Sequence, residues 1–464
     1  MKGSKDLKNI KIAYIGGGSR GWAWQLMRDL ATEKEIAGQV ALYDIDFEAA
    51  KHNETIGNKL KQREDVVGKW DYKAYETIDG ALTGADFVVI SIMPGTFDEM
   101  ASDVHLPEEY GIYQSVGDTA GPGGIVRALR TIPMMFEIAE AIQAYSPNAW
   151  VINYTNPMSL CVKALYTKFP EIKAFGCCHE VFGTASFLCE MLKDMEGIDG
   201  VKRQDLTYNV IGINHFTFFD KASYNGVDLF PMYDKFVDKY YDTGFFDEAS
   251  KTNWMNNTFS CAHRVKFDLF KRYGSIAAAG DRHLAEFCYG KEYLKDPETV
   301  KEWKFGLTTV EWRKKDLKER LEKSRKYLSG EEQIDVTPSG EEGVLQMKAL
   351  LGLGNFVTNV NIINRGQVPQ LPLGSIVETN AYFSADEVRP VLCSDIPSEL
   401  LALFSRHIYN HESIMKSALT GDLNHAFRAF LNDPLVTLDA KTAKEMFDRM
   451  IHNTKKYLTM YQIG

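Results

Sequence analysis

The chain has 464 residues, 45% hydrophobic and 25% charged, with a formal net charge of −10. That length supports two or three domains, the composition excludes a disordered or fibrous protein, and the acidic balance excludes a general polyanion binder, because neutralising phosphates needs a basic face. Nucleic acid is therefore not an expected partner; no segment approaches the ~20 uninterrupted apolar residues of a membrane span, and seven scattered cysteines make no disulfide framework.

The opening segment, MKGSKDLKNIKIAYIGGG, runs from lysines through a short apolar stretch into glycines instead of a cleavage site. It reads as a strand and not as a secretory leader, which with the cysteine usage gives a reducing cytoplasm as the expected compartment. Over the first 180 residues, short apolar runs alternate with longer amphipathic stretches, the pattern of a parallel sheet with helical crossovers. The expected strands are 10–15, 39–44, 86–92, 149–154 and 172–177, with helices over 21–34 and 125–145. Residues 1–200 thus form an α/β unit of the doubly wound Rossmann type. From about 201 to 464, β-branched and aromatic strands such as 206–213 and 356–363 mix with long helices, an α+β second domain. The charged stretch 300–330 reads as one solvated helix or a lid, and 398–456 as helices packed over the core.

Within the first unit, Gly16-Gly17-Gly18-Ser19-Arg20-Gly21 is a G-x-G-x-x-G between strand IKIAYI and a helix. Glycine is required there because the turn is tight, the backbone must approach a pyrophosphate, and the helix N-terminus presents amides to the anion. Asp44 closes the second strand, where a carboxylate can accept from the ribose hydroxyls; this favours NAD over NADP, with Asp46 sharing the role and Arg20 the opposing consideration. The glycine-rich GDTAGPGG at 117–124 lacks the lysine of a phosphate loop and reads as a loop before a helix.

Cys178 and His179 close a strand at the carboxyl edge of the expected sheet, and His215 follows the strand ending GIN. A thiolate and an imidazole can hold a divalent ion with positions left open for substrate; a buried cysteine and a capped histidine remain the alternative. Tyr273, Asp281, Arg282 and His283 lie on RYGSIAAAGDRHLAEF, offering a phenol or imidazole as a base or, alternatively, a capped helix start.

Taken in order, IGGGS, VGDTAGPGGIVRALRTIP (116–133), VINYTNPMS (151–159), GCCHEV (176–181), GINHF (212–216) and NRGQVPQLPLGSIVE (364–378) resemble glycoside hydrolase family 4 over most of the chain. The resemblance implies a C-terminal domain of lactate/malate dehydrogenase type, bound NAD, and a manganese-type ion held by Cys178 and His215. It further implies Asn156 on the substrate, with Ser91 and Asn153 beside the nicotinamide half. His179 follows the metal cysteine, a variant that resembles the galactoside and uronide branch, and CHEVFG resembles the α-galacturonidases. NAD-dependent glycosidases depart from the two-carboxylate scheme: the resemblance implies oxidation at carbon 3, proton loss at carbon 2, departure of the aglycone, and return of the hydride. His283 stands where many relatives carry a tyrosine base, so His283 and Tyr273 are the base candidates, with His179 the acid. Arg282 or Arg365 would meet a uronide carboxylate. Relatives are oligomeric, so a homodimer or homotetramer is expected. An α-galactosidase or α-glucuronidase of the same family, a plain NAD-dependent 2-hydroxy-acid dehydrogenase and a non-catalytic NAD sensor are the alternatives.

Overall fold

The computed structural model describes residues 6–246 and 258–463. Among the described residues thirteen strands run in chain order as β1 (Ile10–Ile15), β2 (Ala37–Tyr43), β3 (Lys69–Tyr75), β4 (Phe87–Ile90), β5 (Trp150–Asn153), β6 (Lys173–Gly176), β7 (Leu206–Ile213), β8 (Phe216–Tyr224), β9 (Val227–Asp228), β10 (Ile276–Ala277), β11 (Phe356–Ile363), β12 (Ile376–Ser384) and β13 (Glu387–Pro390). Strands β1 to β6 are parallel, in the order β6-β5-β4-β1-β2-β3. The chain leaves β1 to one side for β2 and β3 and returns on the other for β4, so the glycine loop after β1 sits where the strand order reverses, the place where doubly wound sheets bind ligands.

The short apolar runs become central strands because both faces are covered: all four residues of β4 are buried. β3 escaped the apolar-run criterion. Its sequence KWDYKAY buries Trp70, Tyr72 and Ala74 and exposes the lysines and aspartate between them, the period-two alternation of an edge strand.

The second half does not stand apart. β11 pairs antiparallel with β6, placing Asn361 opposite Gly176, and β12 and β13 extend the same sheet to nine strands. A smaller sheet, β10-β8-β7 with β9 on its side, packs beside β12, where Asn380 Nδ2 donates to the Tyr208 carbonyl at 2.7 Å. One core cluster runs from Ile90 and Val151 through the helix Gly121–Tyr145 to Ile213, Phe216 and the C-terminal helices; another covers the opposite face of the large sheet with Tyr14, Val89, Ile152 and Phe175. Burying each such aromatic contributes about 2–3 kcal/mol, so the two halves are welded by the first cluster.

The charged stretch is not one helix. Pro297–Glu302 ends before a loop, and Val310–Ser329 starts afresh where the Thr309 side chain accepts from Trp312 N. The C-terminal stretch folds as Ser398–Thr420, Leu423–Asn432 and Ala440–Thr454. Among the described residues no helix is long and apolar enough to cross a membrane.

Candidate active site

At the carboxyl edge of β1 the backbone folds back on itself: Gly16 N and Gly17 N donate to Tyr43 O at 2.9 and 2.8 Å. Gly16 has φ +94°, and a Cβ there would lie 2.0 Å from the Ser91 carbonyl, so this turn admits no side chain. Gly18 N donates to Asp44 Oδ2 at 2.8 Å and Asp46 N to Oδ1 at 2.9 Å, leaving Asp44 at the loop's edge with further acceptor capacity. Asp46 is committed elsewhere, accepting from Ala49 N as the cap of helix Phe47–Lys61. Ser19 leads to Gly21, the N-cap of helix Trp22–Ala31; that end has no side-chain cap, so its amides are left to an anion. Asn53, which sequence reasoning missed, is 1% exposed and donates to the Gly17 and Ser19 carbonyls, fixing the loop from below. These features fit a dinucleotide.

A second group of residues gathers around the end of β6. Cys177 and Cys178 follow β6 with side chains on opposite faces: Cys177 packs toward the core that includes Phe175 and donates to Gln346 Oε1 at 3.1 Å, while Cys178 packs toward the core that includes Ile213. His215 is at the tip of the two-residue turn joining β7 to β8, where Ile213 pairs with Phe216. Its φ of +65° is left-handed, a strained conformation for a residue with a Cβ. Thr119 Oγ1 lies 2.9 Å from Nδ1, which turns Nε2 toward the site.

His283, on helix Asp281–Glu286, meets His215 with ring centroids 3.7 Å apart, and the ligand atoms of Asp118, His215 and His283 all lie within 4.8 Å of one another. The Asn156 and Asn214 Oδ1 atoms are buried with no hydrogen-bond partner. The His215 imidazole and the Asp118 carboxylate, with unmet oxygens beside them, fit a divalent ion, and the His283 imidazole lies against the first. Burial, with Glu378 and Glu180 adding to it, pushes the Cys178 thiol well up.

The electrostatics divide the carboxyl groups. Burial alone would raise Asp118, but Arg127, His215, His283 and Arg313 hold it well below the usual range. Glu180 is likewise held low against its burial by His283, His215 and Arg282; its Oε1 is 3.6 Å from His283 Nε2 and its Oε2 accepts from Gly280 N at 2.7 Å. Burial drives His283 down to about 3, with His215 adding to it. Glu286 moves the other way, pushed by burial up to about 8, while its Oε1 accepts from Val116 N and Gly117 N.

Other expected site residues are placed more loosely. His179 caps helix Glu180–Glu196; its Nδ1 is 3.1 Å from Glu341 Oε1, a contact that raises its pKa, and its ring stacks on Trp22 at 5.7 Å. Arg282 is 8% exposed and donates to Thr308 Oγ1 at 2.6 Å. Asn153 is buried under the edge, spending its amide on the Thr155 backbone. Tyr273 ends helix Arg264–Tyr273 half-buried beside Cys288, Arg272, Glu292 and Asp268, none of them in the cluster. Arg365 is exposed two residues past β11; because β11 runs against β6, that turn lies toward the opposite edge of the sheet from Cys178.

Asp118, Glu180, Glu286 and Arg127 went unassigned in the sequence. Asp118 and Arg127 belong to the VGDTAGPGGIVRALRTIP string, whose glycines are tight approaches: a Cβ on Gly124 would lie 2.5 Å from the Thr119 backbone. The helix starts at Gly121, so half of the glycine-rich segment is its first turn and Asp118 lies just before it.

Two family descriptions match the chain: "Family 4 glycosyl hydrolase" over residues 11–194 and "Family 4 glycosyl hydrolase C-terminal domain" over 210–436. An alpha-galacturonidase of Thermoanaerobacterium saccharolyticum is 62% identical over 455 residues, covering 98% of each chain, and one of Bacillus subtilis is 52% identical over 445 residues, covering 96% of this chain and 97% of its own. The crystal structure of Bacillus subtilis lplD superposes with a TM-score of 0.91 at 52% identity, over 96% of this chain and all of that one. A 6-phospho-alpha-glucosidase from gut microorganisms, solved with NAD and Mn2+, shares the fold at a TM-score of 0.81 and 20% identity, over 98% of this chain and all of that one. With both halves matched in order and such identity along nearly its whole length, the chain belongs to family 4 of the glycosyl hydrolases.

Proposed function

We propose that this enzyme hydrolyses an α-galacturonide with NAD and a divalent ion such as manganese as working cofactors. The observation that supports the reading is the glycine cradle after β1 together with Asp118, His215 and His283, whose ligand atoms lie within 4.8 Å of one another. Four relatives at 52 to 62% identity bear the name alpha-galacturonidase, which supports the galacturonide. Bound at the Gly16–Gly21 loop, NAD would supply reversible oxidation at carbon 3, and Cys178 and His215 would hold an ion able to polarise the neighbouring sugar oxygens.

In this reading the protein's groups position the sugar and move its protons. Asn156 Oδ1, buried without a partner, accepts from a sugar hydroxyl. His283 is the base: its Nε2 lies 3.6 Å from Glu180 Oε1, and its buried Nδ1, which has no partner, accepts the carbon 2 proton. Glu180 then stabilises the imidazolium. His179, half exposed and with its pKa raised by Glu341, donates from Nε2 to the leaving oxygen. Arg282 meets the substrate carboxylate. Tyr273 and Arg365 take no part in this scheme. All seven cysteines are free, and a thiol ligand suits a reducing cytoplasm; assembly as a homodimer or homotetramer completes the reading.

The test is a panel of aryl α- and β-glycosides, including uronides, neutral galactosides and 6-phosphosugars, assayed with NAD, manganese and a thiol reductant. Cleavage of the α-galacturonide above all others is the expected result. Preference for a neutral galactoside or a phosphosugar overturns the substrate assignment.

A further inference from the structure

Helix Val310–Ser329, charged along most of its length, sends its first turn into the site. Arg313 is only partly exposed; its Nη2 donates to the Val116 carbonyl at 3.4 Å, and its Nε is buried with no partner. The segment Ser115–Asp118 touches both Arg313 and Arg282. Ser115 Oγ donates to the Arg282 carbonyl, Thr308 N to the Ser115 carbonyl at 2.8 Å, and Thr308 Oγ1 accepts from Arg282 Nη1. On the far side of Asp118, Arg127 donates through Nε to the Asn156 carbonyl at 3.2 Å and keeps a buried Nη1 without a partner. Three guanidiniums therefore converge on a site whose ionised carboxylates are Asp118 and Glu180, and two of the three retain a buried donor that no protein group satisfies. A buried N–H left unmet is costly, and an anionic ligand with planar oxygens is the chemistry that meets it.

We propose that Arg313, acting with Arg282, clamps the carboxylate of the uronide substrate and sets the preference for a uronide over a neutral sugar. This rests on the galacturonide reading above and adds to it a specificity-determining residue from the helix Val310–Ser329. The clamp is bipartite: Arg282 is fixed by Thr308 and Phe259, over whose ring it lies at 4.5 Å, whereas Arg313 is held at the Val116 carbonyl from a separate helix. A neutral hydroxymethyl group in the same place leaves the guanidinium N–H groups unpaired, which is how a polar pocket rejects an uncharged analogue.

The test compares the wild type with Arg313→Gln and Arg313→Lys, each loaded with NAD and manganese. It measures kcat/KM for an aryl α-galacturonide, Kd for free D-galacturonate and for D-galactose, Kd for NAD, and melting temperature. Removing one partner of a desolvated charge pair predicts a loss of about 100-fold in kcat/KM and in galacturonate affinity for the glutamine variant, carried in KM. Lysine, which keeps the charge without the fork, recovers part of it; galactose and NAD affinities and the melting temperature stay at wild-type values. Galacturonate affinity at the wild-type level in either folded variant overturns the clamp. So does an equal loss for galactose, which marks a structural role. A wild type that neither cleaves nor binds the galacturonide is a different result, the failure of the substrate reading itself.

Discussion

Glu286 offers a perturbation whose magnitude follows from its surroundings. Its carboxyl is fully buried, Oε1 accepts from Val116 N at 2.7 Å and Gly117 N at 2.9 Å, and Oε2 has no partner. Burial, only partly offset by those two amides, raises its pKa to about 8 from an ordinary value of 4.5. A raised folded-state pKa means that the native protein binds the proton more tightly than the unfolded chain. The resulting stabilisation is complete below about pH 4.5 and is lost as pH rises through about 8. At 1.36 kcal/mol per unit the full span is on the order of a few kcal/mol. Glu286→Gln keeps an oxygen for the two amides and replaces the protonated oxygen by a neutral NH2, so it removes the titration while preserving the loop that leads to Asp118. Thermal melts of wild type and variant at pH 5, 7 and 9 should be close at pH 5 and diverge in the variant's favour at pH 9. Melting curves whose separation is the same at all three pH values would refute the assignment of a neutral buried acid.

The cofactor cradle and the proposed acid give two further predictions. Gly16→Ala drives a Cβ to within 2.0 Å of the Ser91 carbonyl and asks alanine to hold φ +94°; isothermal titration should show NAD affinity reduced at least ~10-fold, with a lowered melting temperature. Unchanged NAD affinity would remove the loop from the binding site. Glu341→Gln takes away the carboxylate that raises the pKa of His179, so the alkaline limb of the kcat/KM profile should move to lower pH, since the donor is active only while protonated. A limb that stays in place would assign the acid to another group.

Much of the architecture was legible because hydrophobic period and glycine chemistry act locally. β1, β7 and β11 coincide with apolar runs whose ends are marked by Gly16, by the Asn214-His215 turn and by Asn364. β3 was not found because its outward residues are all polar, and alternation in an edge strand contains few apolar neighbours. The joining of β11 to β6 was invisible for a different reason: pairing between residues 176 and 361 leaves no trace in either segment alone. The same holds for the site. Cys178 and His215 stood out by residue type, whereas Asp118 and Glu180 are ordinary acidic residues until folding surrounds them with His215, His283 and arginines. Arg365, singled out by a motif, lies toward the other edge of the sheet because an antiparallel strand reverses the direction in which its end points.

The central claim, that NAD is borrowed and returned within each hydrolytic turnover, is tested most directly by counting. With aryl α-galacturonide in large excess over enzyme-bound NAD, in the presence of manganese, release of many equivalents of aglycone with no net NADH at the end is the predicted result. Loss of that activity on removing NAD or the metal, and its recovery on adding both back, completes it. One NADH formed per substrate consumed, or hydrolysis undiminished in enzyme stripped of both, would contradict the account.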